Sequence, residues 1–600
     1  MLKRLYLSGN EAIAYGLIEG GVRFLTGYPG TPSSEILPTA QKLKLRYGFK
    51  GFIDWAVNEK VALEMAFSAS LCGVKSAVTM KQVGLNVAMD PFLNAAYVGP
   101  KAGFVVVVAD DPGPHSSQTE QDSRLAAYLA KVPVLDPSTV EEAYLFAKKA
   151  LELSSEFEIP LMLRTTTRIS HGKSDIAVPE EFPQEEFNPS FKENLKNWNI
   201  ELQRLAATPK LRHLLHKRLN EKLDALAERN KPRFFYQGDI LILTSGIVFS
   251  YLVELIEEHQ LENKVTLAKF DMPFPVKYQK FSEFKRVITL EETSPLLELF
   301  FDTEGRRNGL VPKEGELTPE VCEKIFSKLG LIPEKKSIAI PPLKRPSLCP
   351  GCGHRIGLFA LKKVFGKKAI YCGDIGCYTL ALNFGVTDTV FCMGASLSFA
   401  TAIKKLFDEK EKEREVIGII GDSTFLHSGI TPLIDAYHYK VPFLLIILDN
   451  ETVGMTGNQK TPAHKVSYEG KPLNPVKIER ILEGLGLDFV KVVDPYDYKE
   501  TLQVLKEAKE YLKISDKPCA VIMRHPCVYT REGLLNNPKR PVQILEEKCT
   551  GCKFCLSEFE CPALYFDESS EKVCIDKTLC IDCGCCQFVC PKKAILEVKA

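Results

Sequence analysis

Residues 421–450 read G-D-S-T-F-L-H-S-G-I-T-P-L-I-D-A-Y-H-Y-K-V-P-F-L-L-I-I-L-D-N, and this stretch decides the fold class. It follows one apolar run, V-I-G-I-I (416–420), and contains another, F-L-L-I-I-L (443–448). Short apolar runs bounded by turn residues read as buried strands, and the segment between them has helical length. Strand, helix, strand implies two parallel neighbours in an α/β sheet. The carboxyl ends of such strands face one crevice, where ligands bind. Gly421-Asp422 closes the first strand and Asp449-Asn450 the second. Asp422 and Asn450 are therefore expected to meet as two hard oxygen ligands. Magnesium suits that pair, because it prefers oxygen and completes its octahedron with phosphate oxygens. The competing reading is a strand-end aspartate that merely caps the next helix.

The same alternation recurs outward along the chain. Residues 22–25, 76–80 and 104–109 read as buried strands. Residues 59–71 carry Val61, Ala62, Met65, Ala66 and Ala69 at helical spacing. A parallel-sheet domain over 1–180 follows. Residues 181–232 turn acidic and Pro-containing, then polar and helical through Leu205, Leu211, Leu215, Leu219 and Leu226, which reads as a helical linker or spacer. A further α/β domain, 233–335, opens on a strand at 239–243 and a helix reaching 258. The domain holding the opening stretch spans 336–535, and a Cys-rich domain spans 540–600. Pro341-Pro342 and P-K-R-P (538–541) mark its boundaries.

Bulk properties exclude several classes. A chain of 600 residues, 45% hydrophobic and 26% charged, is an ordinary multidomain globular protein. Its net charge of +1 gives no reason to expect nucleic acid or a membrane surface as partner. The longest apolar runs are too short to span a bilayer, and Ser8 to Glu11 interrupt any signal-peptide core, so the expected location is cytoplasmic. Nineteen cysteines in a reducing compartment argue for metal rather than disulfides.

Ten of those nineteen cysteines lie between Cys549 and Cys590. C-T-G-C-K-F-C-L-S-E-F-E-C-P (549–562) and C-I-D-C-G-C-C-Q-F-V-C-P (580–591) form a repeat. The second copy is C-x2-C-x2-C-x3-C-P, the bacterial two-cluster ferredoxin pattern, in which the fourth cysteine ligates the other cluster. By that crossing Cys549, Cys552, Cys555 and Cys590 hold one [4Fe–4S] cluster, and Cys580, Cys583, Cys586 and Cys561 hold a second. The first copy is longer before Cys561, and Cys574 and Cys585 are spare. Paired zinc knuckles are the alternative, but zinc needs no third cysteine followed by C-P, twice. Upstream, C-P-G-C-G-H (349–354) leaves open a zinc site with His354, a redox dithiol, or part of another cluster; c-type haem attachment fails because His354 is one residue too late.

Several motifs together carry a family resemblance. G-D-S (421–423) followed by D-N (449–450) resembles the thiamin diphosphate signature of G-D-G…N-N type. With G-Y-P-G-T-P-S-S-E (27–35), V-N-E-K-V-A-L-E-M-A (57–66), M-K-Q-V-G-L-N-V (80–87), A-D-D-P-G-P-H-S-S-Q-T-E-Q-D-S-R (109–124) and the Cys-rich tail, the chain resembles the alpha subunits of indolepyruvate:ferredoxin oxidoreductases, within the 2-oxoacid:ferredoxin oxidoreductase family. The resemblance covers essentially the whole chain.

The resemblance implies two thiamin-diphosphate-binding parallel-sheet domains, a transketolase C-terminal-like α/β domain and a C-terminal two-[4Fe–4S] ferredoxin domain of α+β type. It implies that Asp422, the Asn450 side chain and the Thr452 main-chain carbonyl hold Mg2+, with Gly421, Thr456 and Gln459 at the cofactor. Glu59 would face the aminopyrimidine, and Thr31 the substrate. His115 could touch substrate, although a solvated loop histidine is an equal reading. Cys349, Cys352, Cys377 and Cys527 match the ligands of a third [4Fe–4S] cluster beside the thiamin.

The implied activity is anaerobic oxidative decarboxylation of an aryl 2-oxoacid, indole-3-pyruvate first, with coenzyme A as acyl acceptor and ferredoxin as electron acceptor. A smaller beta subunit would complete the coenzyme A and substrate site, in a hetero-oligomer with two copies of this chain. The rivals are another 2-oxoacid substrate, a non-oxidative decarboxylase, and an electron-transfer subunit with a degenerate thiamin site, for which Ser423 in place of glycine is the one hint.

Overall fold

The computed structural model describes residues 2–182, 189–191, 193, 209–334, 345–407 and 414–598. They fall into two compact units, Met1–Ala339 and Ile340–Ala600.

The first unit contains a six-stranded sheet in the order Phe52–Ile53, Phe24–Gly27, Ser76–Lys81, Phe104–Asp110, Leu161–Thr166, Val134–Leu135, every pair parallel. The Phe104–Asp110 strand is buried along its whole length, as a strand covered on both faces must be. The helix Glu59–Leu71 has the bounds its periodicity predicts, and the Asn58 side chain caps it by accepting from the Val61 amide. The strand expected at 22–25 lies two residues later, at Phe24–Gly27. The cause is local: the amides of Gly21 and Val22 turn back to the carbonyls of Ile18 and Leu17, so Val22 belongs to the end of the preceding helix.

The 181–232 segment is not a spacer arm where it is described. Its helix, Pro209–Arg229, buries Leu215, Leu219, Leu223 and Leu226. The last three of these pack with Phe104, Val106 and Met162, because a spacing of three to four sets them on one face. Leu205, most of the acidic Pro-containing stretch and Pro341-Pro342 lie outside the described residues.

A second sheet follows, ordered Arg286–Leu290, Ile240–Thr244, Val265–Lys269, Arg233–Phe235, with the first three strands parallel and the last antiparallel. Its helix, Ile247–Glu258, follows the strand as expected. Arg124, fully buried, joins this part to the first sheet. Its guanidinium meets Asp122 at 2.6 Å, Glu291 at 3.1 Å, and the Ser245 hydroxyl and Ser294 carbonyl, each at 3.1 Å. Arg164 is equally buried and reaches Asp110 at 2.9 Å and Asp136 at 3.3 Å.

The second unit is built on five parallel strands in the order Ile370–Cys372, Val416–Gly421, Leu444–Asp449, Cys519–Arg524, Val490–Val493. Two small antiparallel pairs follow, Val542–Ile544 with Ile595–Glu597 and Leu564–Asp567 with Lys572–Ile575. The Cys-rich segment shares one core with the sheet. Phe559 meets Phe359 edge-on at 5.8 Å, and Tyr498 stacks on Phe588 at 4.7 Å. Among the described residues no helix is long and apolar enough to cross a membrane.

Removing one member of a buried ion network strands the others, at a cost of roughly 3–5 kcal/mol. Arg124→Met should therefore lower the denaturant midpoint of the first unit clearly. An unchanged midpoint would show that the network does not hold the six-stranded and four-stranded sheets together.

Candidate functional site

Two strand ends make the centre of the site in the second unit. Gly421 pairs with Leu448 in register, so the residues after each, Asp422 and Asp449, leave the sheet side by side. A Cβ on Gly421 would lie 2.8 Å from the Tyr378 ring, so only glycine lets the main chain pass there. Asp422 is 3% exposed, and its Oδ2 has no hydrogen-bond partner. Burial first, and then the neighbouring Asp449, pushes its pKa well above the usual carboxylate range. The Ser423 amide donates to Asp422, a main-chain contribution that does not depend on the Ser423 side chain.

Asp449 has its charge answered. Arg524 Nε donates to its Oδ2 at 2.6 Å, and the other end of that guanidinium holds Glu479 at 2.8 Å. The unusual Asp449-Asn450 pair is thus resolved: Asp449 belongs to Arg524, and Asn450 carries on into the loop. Asn450 Oδ1 accepts from the Thr452 amide at 3.3 Å. The loop then closes on itself: the Thr452 hydroxyl donates to the Gln459 carbonyl at 2.9 Å, and Thr456 to Gln459 Oε1 at 2.7 Å. Thr456 and Gln459 therefore satisfy one another and fix the shape of the loop. Arg524 and Glu479 lack any local signal; their only trace is a pairing seventy-five residues away from Asp449.

Four cysteines from three distant segments gather beside this loop. Cys527 donates its amide to the Asn450 carbonyl at 3.1 Å. A Cβ on Gly454 would lie 3.1 Å from Asn450 Nδ2 and 3.7 Å from Cys377 Sγ. Burial raises the Cys377 thiol to about 12 and Cys352 to about 11, and within the set Cys349, Cys352 and Cys527 add to the shift of Cys377. His354 does not join them. It is buried in the helix Gly353–Phe365 near the Tyr378 ring, and burial lowers its pKa to about 4. Among the described residues the one trio close enough to share a single ion is Glu258, His259 and Glu323, and Cys349, Cys352 and His354 are not drawn together in that way.

The tail's cysteines divide between two cavities. One is lined by Cys549, Cys552, Cys555 and Cys590. The other is lined by Cys561, Cys580, Cys583 and Cys586, with Cys585 also on its wall. Each cavity thus collects the crossed set that the spacing predicts. Cys574 lines neither and faces Tyr565 across a strand pair.

In the first unit Glu59 is 5% exposed at its helix start. Gly84 makes room for it: a Cβ there would fall 2.4 Å from Glu59 Oε1. Lys81 and Asp111 lie in the same electrostatic neighbourhood, and burial lowers the Lys81 pKa. The Thr31 carbonyl accepts from the Ser116 hydroxyl at 3.5 Å. His115 is half exposed and meets Glu316 at 3.4 Å, which matches the solvated-loop reading better than an acid–base role.

Comparison with known proteins places the chain. Residues 374–523 match the thiamine pyrophosphate enzyme C-terminal TPP binding domain, and residues 15–220 match the thiamine-diphosphate-binding domain of pyruvate flavodoxin/ferredoxin oxidoreductases. The class is therefore a thiamin-diphosphate-binding oxidoreductase. Indolepyruvate oxidoreductase subunit IorA of Archaeoglobus fulgidus is 37% identical over 100% of this chain and 98% of its own length; that of Pyrococcus abyssi is 38% identical over 100% and 97%. The chain belongs to the indolepyruvate:ferredoxin oxidoreductase alpha-subunit family, within the 2-oxoacid:ferredoxin oxidoreductases. A 2-oxoglutarate synthase subunit KorA from Methanothermobacter thermautotrophicus is 26% identical over 32% of this chain and 54% of its own. A solved 2-oxoglutarate:ferredoxin oxidoreductase from Magnetococcus marinus aligns at 17% identity over 50% of this chain and 61% of that one, with a TM-score of 0.43.

A carboxyl with a raised pKa is at ease while protonated, and its contribution is lost as pH rises through that value. Asp422→Asn should therefore raise the thermal midpoint of the metal-stripped chain by a few degrees, roughly what ~1 kcal/mol gives. The gain should grow as pH rises. A gain that shrinks with pH in thermal unfolding would contradict this account of Asp422.

Proposed function

We propose that this chain is the thiamin-bearing catalytic subunit of a complex that oxidatively decarboxylates an aryl 2-oxoacid, foremost indole-3-pyruvate, to the acyl-coenzyme A, CO2 and reduced ferredoxin. The observation that carries the reading is the partnerless, buried Asp422 oxygen at a strand end, with Cys377 and Cys527 gathered around the neighbouring Asn450. A lone buried carboxylate oxygen suits a divalent cation, and four gathered thiols beside it suit an electron acceptor. The names of the relatives supply the substrate.

Bound thiamin diphosphate supplies a carbon nucleophile for the ketone and a sink for the electrons left when CO2 departs. The chain's own residues hold and orient. Asp422, the Asn450 side chain and the Thr452 carbonyl hold Mg2+ and through it the diphosphate, while Gly421 allows close approach. Thr456 and Gln459 keep the 452–459 loop in place. Glu59 hydrogen-bonds the aminopyrimidine, and its buried position excludes water from that contact. Thr31 meets the substrate. His115, tied to Glu316, acts on the surface of the loop rather than in proton transfer.

Cys349, Cys352, Cys377 and Cys527 hold the [4Fe–4S] cluster nearest the thiamin. The sets Cys549/Cys552/Cys555/Cys590 and Cys561/Cys580/Cys583/Cys586 hold two more in a ferredoxin-like segment, 540–600. The domains 1–180, 233–335 and 336–535 keep the roles set out above, and a smaller beta subunit completes the coenzyme A and substrate site of a cytoplasmic hetero-oligomer with two copies of this chain. Against the degenerate-site alternative stands the Ser423 amide, which serves Asp422 whatever the side chain.

The complex purified without oxygen should contain thiamin diphosphate and about twelve irons per chain, three cubes of four. With indole-3-pyruvate and coenzyme A it should reduce a low-potential dye faster than with pyruvate or 2-oxoglutarate. Cys377→Ser should leave about eight irons. Iron without thiamin, and no dye reduction with any 2-oxoacid, would overturn the proposal; full iron in Cys377→Ser would remove the third cluster from it.

A further inference from the structure

Arg355 sits where no carboxylate balances it. It lies in the helix Gly353–Phe365 and is 1% exposed. One terminal nitrogen donates to the carbonyls of Phe559 and Glu560, each at 2.6 Å, and the other to those of Leu348 and, at 3.4 Å, Cys349. All four partners are neutral main-chain oxygens. The nearest carboxylate, Glu560, is engaged by Arg345 at 2.5 Å. Arginine keeps its charge in any protein interior, and a buried unpaired cation is costly. Its remaining electrostatic neighbours are sulfur atoms, those of Cys561, Cys352 and Cys349.

The position is specific. Arg355 is on the wall of the cavity that collects Cys561, Cys580, Cys583 and Cys586, and that wall also includes Gly351 and Cys352. Gly351 adopts φ +68, and a Cβ there would strike Ile581 at 2.1 Å, so the cysteine loop 349–352 is pressed against the second cysteine set. The guanidinium fork holds both sides of that junction, the carbonyls of Leu348 and Cys349 on one side and those of Phe559 and Glu560, just before Cys561, on the other.

We infer that Arg355 is the built-in counter-charge of the cluster held by Cys561, Cys580, Cys583 and Cys586, and that it poises this cluster to receive electrons from the one held by Cys349 and Cys352. The inference rests on the iron–sulfur reading above. Four thiolates give such a cluster a net negative charge, and reduction adds one more unit. A fixed cation at its edge stabilises the reduced form more than the oxidised form and so raises the potential. In the transfer one electron leaves the donor cluster and enters the acceptor; no bond breaks and no proton moves. Arg355 is thus a positioning and tuning residue and not a ligand.

The test is redox titration, followed by EPR, of the anaerobically purified full-length complex in three forms: wild type, Arg355→Gln and Arg355→Lys. The midpoint of the cluster held by Cys561, Cys580, Cys583 and Cys586 should move furthest to more negative potential in Arg355→Gln, with a smaller shift of the one held by Cys349 and Cys352 and none of the third. Arg355→Lys, which keeps the charge, should restore most of the shift. An iron-replete Arg355→Gln with no midpoint displaced overturns the inference. Should Arg355→Gln lose iron, Arg355→Lys decides: retained iron supports a counter-charge, and equal loss shows that the planar fork alone matters, which overturns it. Absence of cluster signals from the wild type would instead sink the cluster reading itself.

Discussion

A buried carboxylate oxygen of Asp422 has no donor, and the second unit is arranged to keep it so. The parallel sheet delivers Asp422 and Asp449 side by side, which concentrates negative charge in a place that water does not reach. Arg524 removes one of those charges by binding Asp449. What remains is one buried aspartate whose pKa is pushed up by burial and by Asp449, with one oxygen left without a partner. The loop 452–459 and the Cys527 amide on the Asn450 carbonyl are built around that point.

The same logic of uncompensated charge recurs at Arg355, with the sign reversed. Asp422 lacks a cation, and Arg355 lacks an anion. Both lie against the segments that bring Cys349, Cys352, Cys377 and Cys527 together. A protein interior that leaves one anion and one cation unanswered is better explained by charged groups it is built to hold than by packing alone. The sheet and the Cys-rich tail share one core within the unit, although the sequence reads the tail as a domain of its own, 540–600.

Local signals were legible where local physics is sufficient. The helix Glu59–Leu71 has its expected bounds because periodicity and the Asn58 cap agree. The strands around 421 and 449 are within a residue of their apolar runs, and cysteine spacing alone sorts the tail into its two cavities. Val22 was misplaced because its amide is drawn into a helix end, and the helix Pro209–Arg229 looked like a spacer because its buried face is only one leucine wide. Arg124, Arg524 and Arg355 could not be read at all. Each acts on groups far away in sequence, and an arginine with a distant partner looks the same on the chain as one in water.

Anomalous scattering at the iron edge, from crystals of the complex grown without oxygen, tests the central claim most directly. Three iron centres should appear, one of them between Cys349, Cys352, Cys377 and Cys527 and immediately beside the Asp422–Asn450 loop. A zinc signal at that position, or no metal there while the two tail sites are filled, would contradict the account.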